Sequence, residues 1–138
     1  MLLKMKQIIT MILVCFGCLA VAYPQSATTR SKKNLTIKEW NTTAGSNSRY
    51  LDHVTYYNAN GKKTEEIEYA NYGQKSRITY EYDANGNCVR QVVYDSKNKA
   101  VRIRKFEYYE DGSKKKQYNY APSGKLISTK EFEYIFGN

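Results

Sequence analysis

Few side chains in this sequence have the chemistry of a catalytic or metal centre. The 138 residues include one histidine, His53, and three cysteines, Cys15, Cys18 and Cys88. A general base or a metal ligand needs partner residues within reach, and no recognisable spacing supplies them to His53. We therefore expect no catalytic residue, no metal site and no cofactor. An enzyme built on His53 or Cys88 is the least favoured of three hypotheses for this chain.

Paired glutamates are a second feature that suggests chemistry. Glu65 with Glu66, and Glu131 with Glu133, resemble the two carboxylates of a glycosidase. In an extended strand, however, such residues are explained by polar side chains that alternate toward solvent. The sequence holds no phosphate-binding loop, nucleophile elbow or Cys/His cluster. These observations favour a non-enzyme.

Basic and aromatic residues are interleaved in two segments, 102–106 and 114–118. With the formal charge of +9, this pattern inside a cell would suggest single-stranded nucleic acid binding. In an exported protein the same residues would meet anionic glycans, lipopolysaccharide or membrane headgroups. The alternatives are a solubilising charged face and lysines that block pairing at a sheet edge. We expect no nucleic acid partner, because the N-terminus predicts export.

Residues 1–22 have the three parts of a secretory signal peptide. Lys4 and Lys6 precede an apolar run, and Ala20-Val21-Ala22 follows it. The alternatives are a membrane anchor, for which the run is short, and a lipoprotein signal at Cys18. We expect export through the general secretory route to the periplasm, the cell surface or the extracellular space.

Cleavage after residue 22 would leave 116 residues (138 − 22) with a charge of +7, since two lysines of the original +9 are lost. Cys88 would then be the only thiol, which excludes an intrachain disulfide. We expect it to fill a strand position as a small apolar residue, as free cysteines usually do. A reactive thiol is the alternative.

A short repeat runs through the chain from residue 50 onward. Its glycine position is occupied at 61, 73, 86, 112 and 124, with Asn98 in the same role. A tyrosine stands four residues before each of these positions: Tyr57, Tyr69, Tyr82, Tyr94, Tyr108 and Tyr120. Asn-Gly, Asp-Gly and Ser-Gly pairs at the glycines are typical of tight hairpin turns.

The repeat predicts an all-β fold. Period-two alternation before each tyrosine favours strands, and the short connections require antiparallel hairpins. We expect a β-meander of seven strands over residues 50–134, with an eighth from 35–40, in a single twisted sheet without a helix in the mature chain. Residues 23–34 are predicted to be a flexible leader, and 35–138 the tyrosine-repeat domain.

The same alternation predicts that the six repeat tyrosines lie on one face, beside Ile67, Val92, Phe106 and Phe132. We expect a ligand to cross this face at Tyr82, Tyr94, Tyr108 and Tyr120. The other face is predicted to be charged, except for an apolar patch covered by Leu35, Ile37 and Trp40. The patch is formed by Val89, Val93, Val101 and Ile103. Closure into a partial barrel, an open platform and pairing with a second chain all remain open.

Two motifs carry a resemblance to known families. The segments 82–87 and 94–95 resemble the tyrosine-aspartate repeats of Rhs and teneurin-type shell proteins, and 108–114 resembles MORN-like repeats of antitoxin proteins. Over nearly its whole length the chain resembles a Bacteroidales family of secreted domains of unknown function with tyrosine-rich β-hairpins. That resemblance implies an exported all-β domain and carries no catalytic residues over.

The sequence thus leads to two main functional hypotheses. The first is an exported, non-catalytic binding or structural module whose tyrosine face takes a glycan or a peptide. The second is self-assembly or protein–protein interaction through the sheet face or an edge.

Overall fold

The computed structural model describes residues 30–137. The predicted signal peptide, 1–22, and the first part of the predicted leader lie outside the described residues. Eight strands follow in chain order: β1 (Thr36–Thr42), β2 (Arg49–Tyr57), β3 (Lys63–Ala70), β4 (Gly73–Tyr82), β5 (Cys88–Tyr94), β6 (Ala100–Tyr108), β7 (Lys114–Tyr120) and β8 (Leu126–Glu131).

The strands form one antiparallel sheet in the order β1 to β8, so that each strand pairs only with its chain neighbours. β1 and β8 are the two edges, and the sheet is open. Residues 30–137 contain no helix and therefore no helical membrane span. The predicted all-β meander is confirmed, including the eighth strand at the N-terminal side.

Five of the hairpin turns share one hydrogen-bond pattern. At the β4–β5 turn, Asp83 N–H donates to the Asn87 carbonyl (3.0 Å) and Gly86 N–H donates to the Asp83 carbonyl (3.0 Å). Gly86 has φ +81°, and Asn98, in the equivalent place of the β5–β6 turn, has φ +59°. Asparagine tolerates this left-handed conformation better than most residues, which explains its use in a glycine position.

Every repeat tyrosine lies at a β-bulge. Where Tyr82 pairs with Cys88, for example, the register shifts and Val89 is left without a direct partner. The same one-residue shift accompanies each of the other five repeat tyrosines. A single extra residue reverses the direction of every side chain that follows in the strand.

The prediction that the six tyrosines share a face is therefore wrong. The turn spacing would have kept them together in regular hairpins, but the bulge after each turn transfers the next tyrosine to the opposite side. We call the two sides face A and face B. Face A carries Tyr57, Tyr82 and Tyr108, with Thr55, Ile78 and Phe106; face B carries Tyr69, Tyr94 and Tyr120, with Val54, Ile67 and Val92.

The buried residues are divided between the faces. Val54 (2% exposed) and Val92 (5%) lie on face B, whereas Thr55 (5%) and Phe106 (7%) lie on face A. The described residues provide no second layer, so both faces meet solvent. Stability must come from strand hydrogen bonds and from cross-strand side-chain pairs, which contribute about 0.2–1 kcal/mol each.

The predicted cover of the apolar patch is also wrong. β1 pairs with β2 at the edge of the same sheet, and Trp40 remains 46% exposed there. The patch itself is divided, since Val93 pairs with Arg102 on face A, whereas Ile103 pairs with Val92 on face B. Val101 is 46% exposed.

The described end of the predicted leader contacts the sheet. Asn34 N–H donates to the Asn58 carbonyl (2.9 Å) in the β2–β3 turn. The Lys32 ammonium lies 5.3 Å from the centre of the Tyr57 ring. These contacts add residues 32–34 to the folded domain.

Three tyrosines each donate a hydrogen bond from the hydroxyl to a backbone carbonyl of a neighbouring strand. The Tyr82 hydroxyl donates to the Lys63 carbonyl (2.8 Å), Tyr108 to Cys88 (2.7 Å) and Tyr134 to Lys114 (2.9 Å). Each carbonyl belongs to the first residue of the preceding strand. The spacing of 26 residues between these tyrosines shows that the structural repeat is a pair of strands.

We expect Tyr108→Phe to lower the free energy of unfolding by about 1 kcal/mol, the usual net worth of one hydrogen bond. Urea denaturation followed by circular dichroism measures this loss. Tyr72→Phe is the control, since that side chain is 70% exposed and should leave stability unchanged. Equal effects at the two positions would contradict the role given to the Tyr108 hydroxyl.

Candidate functional site: a basic groove on face A

The four tyrosines predicted to bind a ligand do not form one site. Tyr82 and Tyr108 lie on face A, whereas Tyr94 and Tyr120 lie on face B. All four are half-buried, and the hydroxyls of the first two donate to backbone carbonyls. The guanidinium of Arg77 covers the Tyr94 ring at 4.0 Å from its centre. Two of the four predicted ligand-binding residues, Tyr82 and Tyr108, thus link neighbouring strands in the structure.

A groove of about 570 Å³ lies across face A of strands β5–β8. Its lining consists of four cationic side chains, four amide or hydroxyl side chains and two apolar ones. These are Arg102, Arg104, Lys114 and Lys130; Gln91, Gln117, Asn119 and Ser128; and Phe106 and Ile127.

A row of polar side chains crosses this groove from strand to strand. Arg104 is paired with Gln91 on one side and with Asn119 on the other, and Asn119 is paired with Ser128. The Arg104 Nη1 donates to the Gln91 Oε1 (3.3 Å), and the Asn119 Nδ2 donates to the Ser128 Oγ (3.0 Å). Directly paired residues point to one face, so the register places all four side chains in line.

Phe106 forms the apolar base of the groove. Its ring is 7% exposed, and the Lys114 ammonium lies 4.8 Å from the ring centre. A cation over an aromatic face is attracted by the ring quadrupole, with a worth of about 0.5–1 kcal/mol at an exposed site. Phe106 thereby holds one of the groove's cations in place.

Charge is distributed unequally between the two faces of β5–β8. The acidic residues of these four strands are Glu107 and Glu131, and the register puts both on face B. On that face Arg90 is paired with Glu81, and Lys116 Nζ lies 2.7 Å from a Glu131 carboxylate oxygen. Within residues 30–137 no carboxylate pairs with any of the four groove cations. The groove therefore carries uncompensated positive charge.

The residues first considered for catalysis lie elsewhere. His53 Nδ1 is 3.2 Å from the Asp52 Oδ2 on β2. Burial raises the pKa of the Cys88 thiol, which lowers its thiolate fraction and its reactivity at neutral pH. The structure brings neither residue into the groove.

The most perturbed titratable group is a tyrosine on face A. Burial, and then a hydrogen bond to Glu66, raise the pKa of Tyr80 well above its ordinary range. The Tyr80 hydroxyl donates to the Glu66 Oε2 (2.8 Å), and Lys63 Nζ is 3.2 Å from the same oxygen. Partial burial opposes ionisation of Glu66, but the hydrogen bonds from Tyr80 and Lys63 outweigh it and lower the pKa of that carboxyl. A tyrosine that stays protonated beside a stable carboxylate is a structural link between β4 and β3.

Only part of the groove could be predicted from the sequence. The segments 102–106 and 114–118 are recognisable as basic, but the prediction assigns no face to the groove residues Arg102, Arg104 and Lys114. The alternation of Arg102 and Arg104 with Ile103 and Lys105 is the signal that could have placed the two arginines together on one face. Four polar side chains of the groove were missed, because the register of four strands decides where they lie. They belong to Gln91, Gln117, Asn119 and Ser128.

No protein-family model matches the sequence, and no significant match was found among curated proteins. A similar solved structure is described as the crystal structure of accessory secretory protein 1,2 and 3 in Streptococcus pneumoniae. The match has 18% identity and a TM-score of 0.34, and covers 70% of this chain and 17% of the other. The chain thus spans about one sixth of that protein, and a likeness of this size supports no conclusion about fold or function.

Proposed function

We propose that this chain is an exported, non-catalytic binding module that takes a glycan along face A of strands β5–β8. The observation that supports it is the groove on that face, with its row of amide and hydroxyl side chains. Amides offer donors and acceptors side by side, as sugar hydroxyls do. Neighbouring strands lie about 4.8 Å apart, so four strands span roughly 15 Å, a length suited to an oligosaccharide.

A glycan fits this surface better than a peptide does. Extended peptides usually add to a sheet edge, where backbone N–H and C=O groups are free to pair. The groove lies on the face of the sheet, over strands whose backbone groups already pair with neighbours on both sides, except at β8. Recognition there depends on side chains, and Gln117 and Asn119 provide it at adjacent positions of one strand face.

Isothermal titration against neutral and acidic hexasaccharides tests this function. We expect at least one glycan to bind, and Asn119→Ala to weaken it about tenfold, since a lost hydrogen bond of roughly 1.4 kcal/mol has that effect. Thr129→Ala is the matched control, because Thr129 pairs with Tyr118 on face B. Absence of binding to every glycan, or equal loss in both variants, would contradict the proposal.

Self-association is the second proposed function, and one observation favours it. The edge strand β8 and the segment after it expose apolar side chains: Ile127 is 62% exposed, Ile135 85% and Phe136 88%. An uncovered edge of this kind can pair with another chain. Sedimentation velocity at high concentration separates the two functions: a dimer abolished by Ile127→Lys would support assembly, and a monomer throughout would contradict it.

A further inference from the structure

We infer that the ligand of the face A groove is an acidic glycan, a polymer that carries carboxylate or sulfate groups. This inference rests on the proposed function and names the class of glycan that the groove selects. The row of amide side chains supports a glycan of any charge. The positive charge of the groove is what indicates an acidic one. The anionic groups would contact the four groove cations, Arg102, Arg104, Lys114 and Lys130.

The absence of carboxylate partners is the first argument. Some cationic side chains elsewhere on the sheet are paired with carboxylates: Arg77 Nη1 lies 2.8 Å from Glu65, and Lys75 Nζ lies 2.6 Å from Glu68. The groove cations have no such partner within residues 30–137, although Glu107 and Glu131 belong to the same strands. Four cations concentrated on one face attract a polyanion over longer distances than paired charges do.

The orientation of Arg104 is the second argument. One of its terminal nitrogens is held by the Gln91 side chain at 3.3 Å, which leaves the other N–H groups of the guanidinium for a ligand. A guanidinium binds a planar carboxylate through two parallel hydrogen bonds. Neighbouring Gln117 and Asn119 can then bond to the hydroxyls of the same sugar chain.

A nucleic acid is also a polyanion, but the groove lacks the feature that single strands need. Proteins that bind single-stranded nucleic acids stack the bases on accessible aromatic rings. The aromatic ring in this groove, Phe106, is 7% exposed and already covered by Lys114. Tyr118 and Tyr120 are on face B and cannot stack bases in the groove. The chemistry of the lining thus favours an acidic sugar polymer.

Two adjacent residues of β6 provide a sharp test. Arg104 pairs with Gln91 on face A, whereas the next residue, Lys105, pairs with Arg90 on face B. Arg104→Gln and Lys105→Gln remove the same charge and leave the net charge equal. Titrations of both variants with hexagalacturonate, heparin hexasaccharide, neutral maltohexaose and a ten-residue oligothymidylate compare the ligand classes, and thermal melts check folding.

We expect at least one acidic hexasaccharide to bind, Arg104→Gln to weaken it about tenfold and Lys105→Gln to leave it within about twofold. Raising the salt from about 0.05 M to 0.5 M should also weaken binding, because ions screen exposed charges. Maltohexaose binding that depends on Asn119 but not on Arg104 or salt would overturn the inference while the proposed function stands. Tighter binding of the oligothymidylate would overturn the choice of a glycan, and the absence of all binding would overturn both proposals.

Discussion

Replacing Phe106 with alanine should lower the free energy of unfolding by about 3–4 kcal/mol, as is usual for a buried phenylalanine. Phe106 is the largest of the four side chains buried within residues 30–137 and is 7% exposed. Urea denaturation with a two-state fit measures the change. A loss of this size would remove a large share of the 5–15 kcal/mol typical of a whole domain.

Phe136→Ala is the matched control for that experiment. Phe136 lies beyond the last strand and is 88% exposed, so its removal should change stability by less than about 0.5 kcal/mol. If the two variants lose equal stability, Phe106 is not part of a core. If Phe106→Ala is as stable as the parent protein, the Phe106 ring is not packed against its neighbours on face A.

On the opposite face, Val92→Ala should lower the free energy of unfolding by about 2 kcal/mol. This value is the sum of the transfer free energy of the two lost carbon groups, about 0.8 kcal/mol each, and a small cost for the cavity left behind. Val92 is 5% exposed and lies in a face B row between Thr79 and Ile103. Thermal and urea unfolding both report this loss.

Val101→Ala is its control, since Val101 is 46% exposed and occupies the bulge beside the β5–β6 turn. We expect it to change stability by less than about 0.5 kcal/mol. A loss at Val101 as large as that at Val92 would show that Val101, a member of the predicted apolar patch, is covered in solution. A large effect of Phe106 with none at Val92 would show that only face A is packed.

Local sequence signals predicted the strands and turns well. Alternating side chains around Ile67 and Val92 indicated strands, and Asn-Gly at residues 60–61 and 85–86 indicated hairpins. The turn at Asn98 could also be predicted, because asparagine tolerates the left-handed conformation. Its φ of +59° agrees with that prediction. Each of these features depends on fewer than ten consecutive residues, which is why the eight-stranded meander could be predicted.

The faces could not be predicted, because they depend on bulges that no residue type announces. Tyr69 and Tyr82 each follow a glutamate and stand four residues before a glycine, yet the register shift at each hairpin puts them on opposite sides of the sheet. A prediction based on strict alternation therefore placed Tyr94 beside Tyr108, although they lie on different faces. The errors about the ligand face and about the grouping of the apolar patch on one face follow from this single omission.

The groove was missed for a related reason. Its lining comes from four strands, and Gln91 and Ser128 are 37 residues apart (128 − 91). Only the complete register brings them into line with Arg104 and Asn119. The division of charge that makes the groove basic is likewise visible only after each residue has been assigned to a face.

The most direct test of the account is an NMR titration of the protein with hexagalacturonate. We expect the side-chain amide signals of Gln91, Gln117 and Asn119 and the Nε signal of Arg104 to shift together, since all four line the groove on face A. The ring signals of Tyr118 and Tyr120 on face B should stay unchanged. Shifts centred on those two rings, or no shifts at all, would contradict the account.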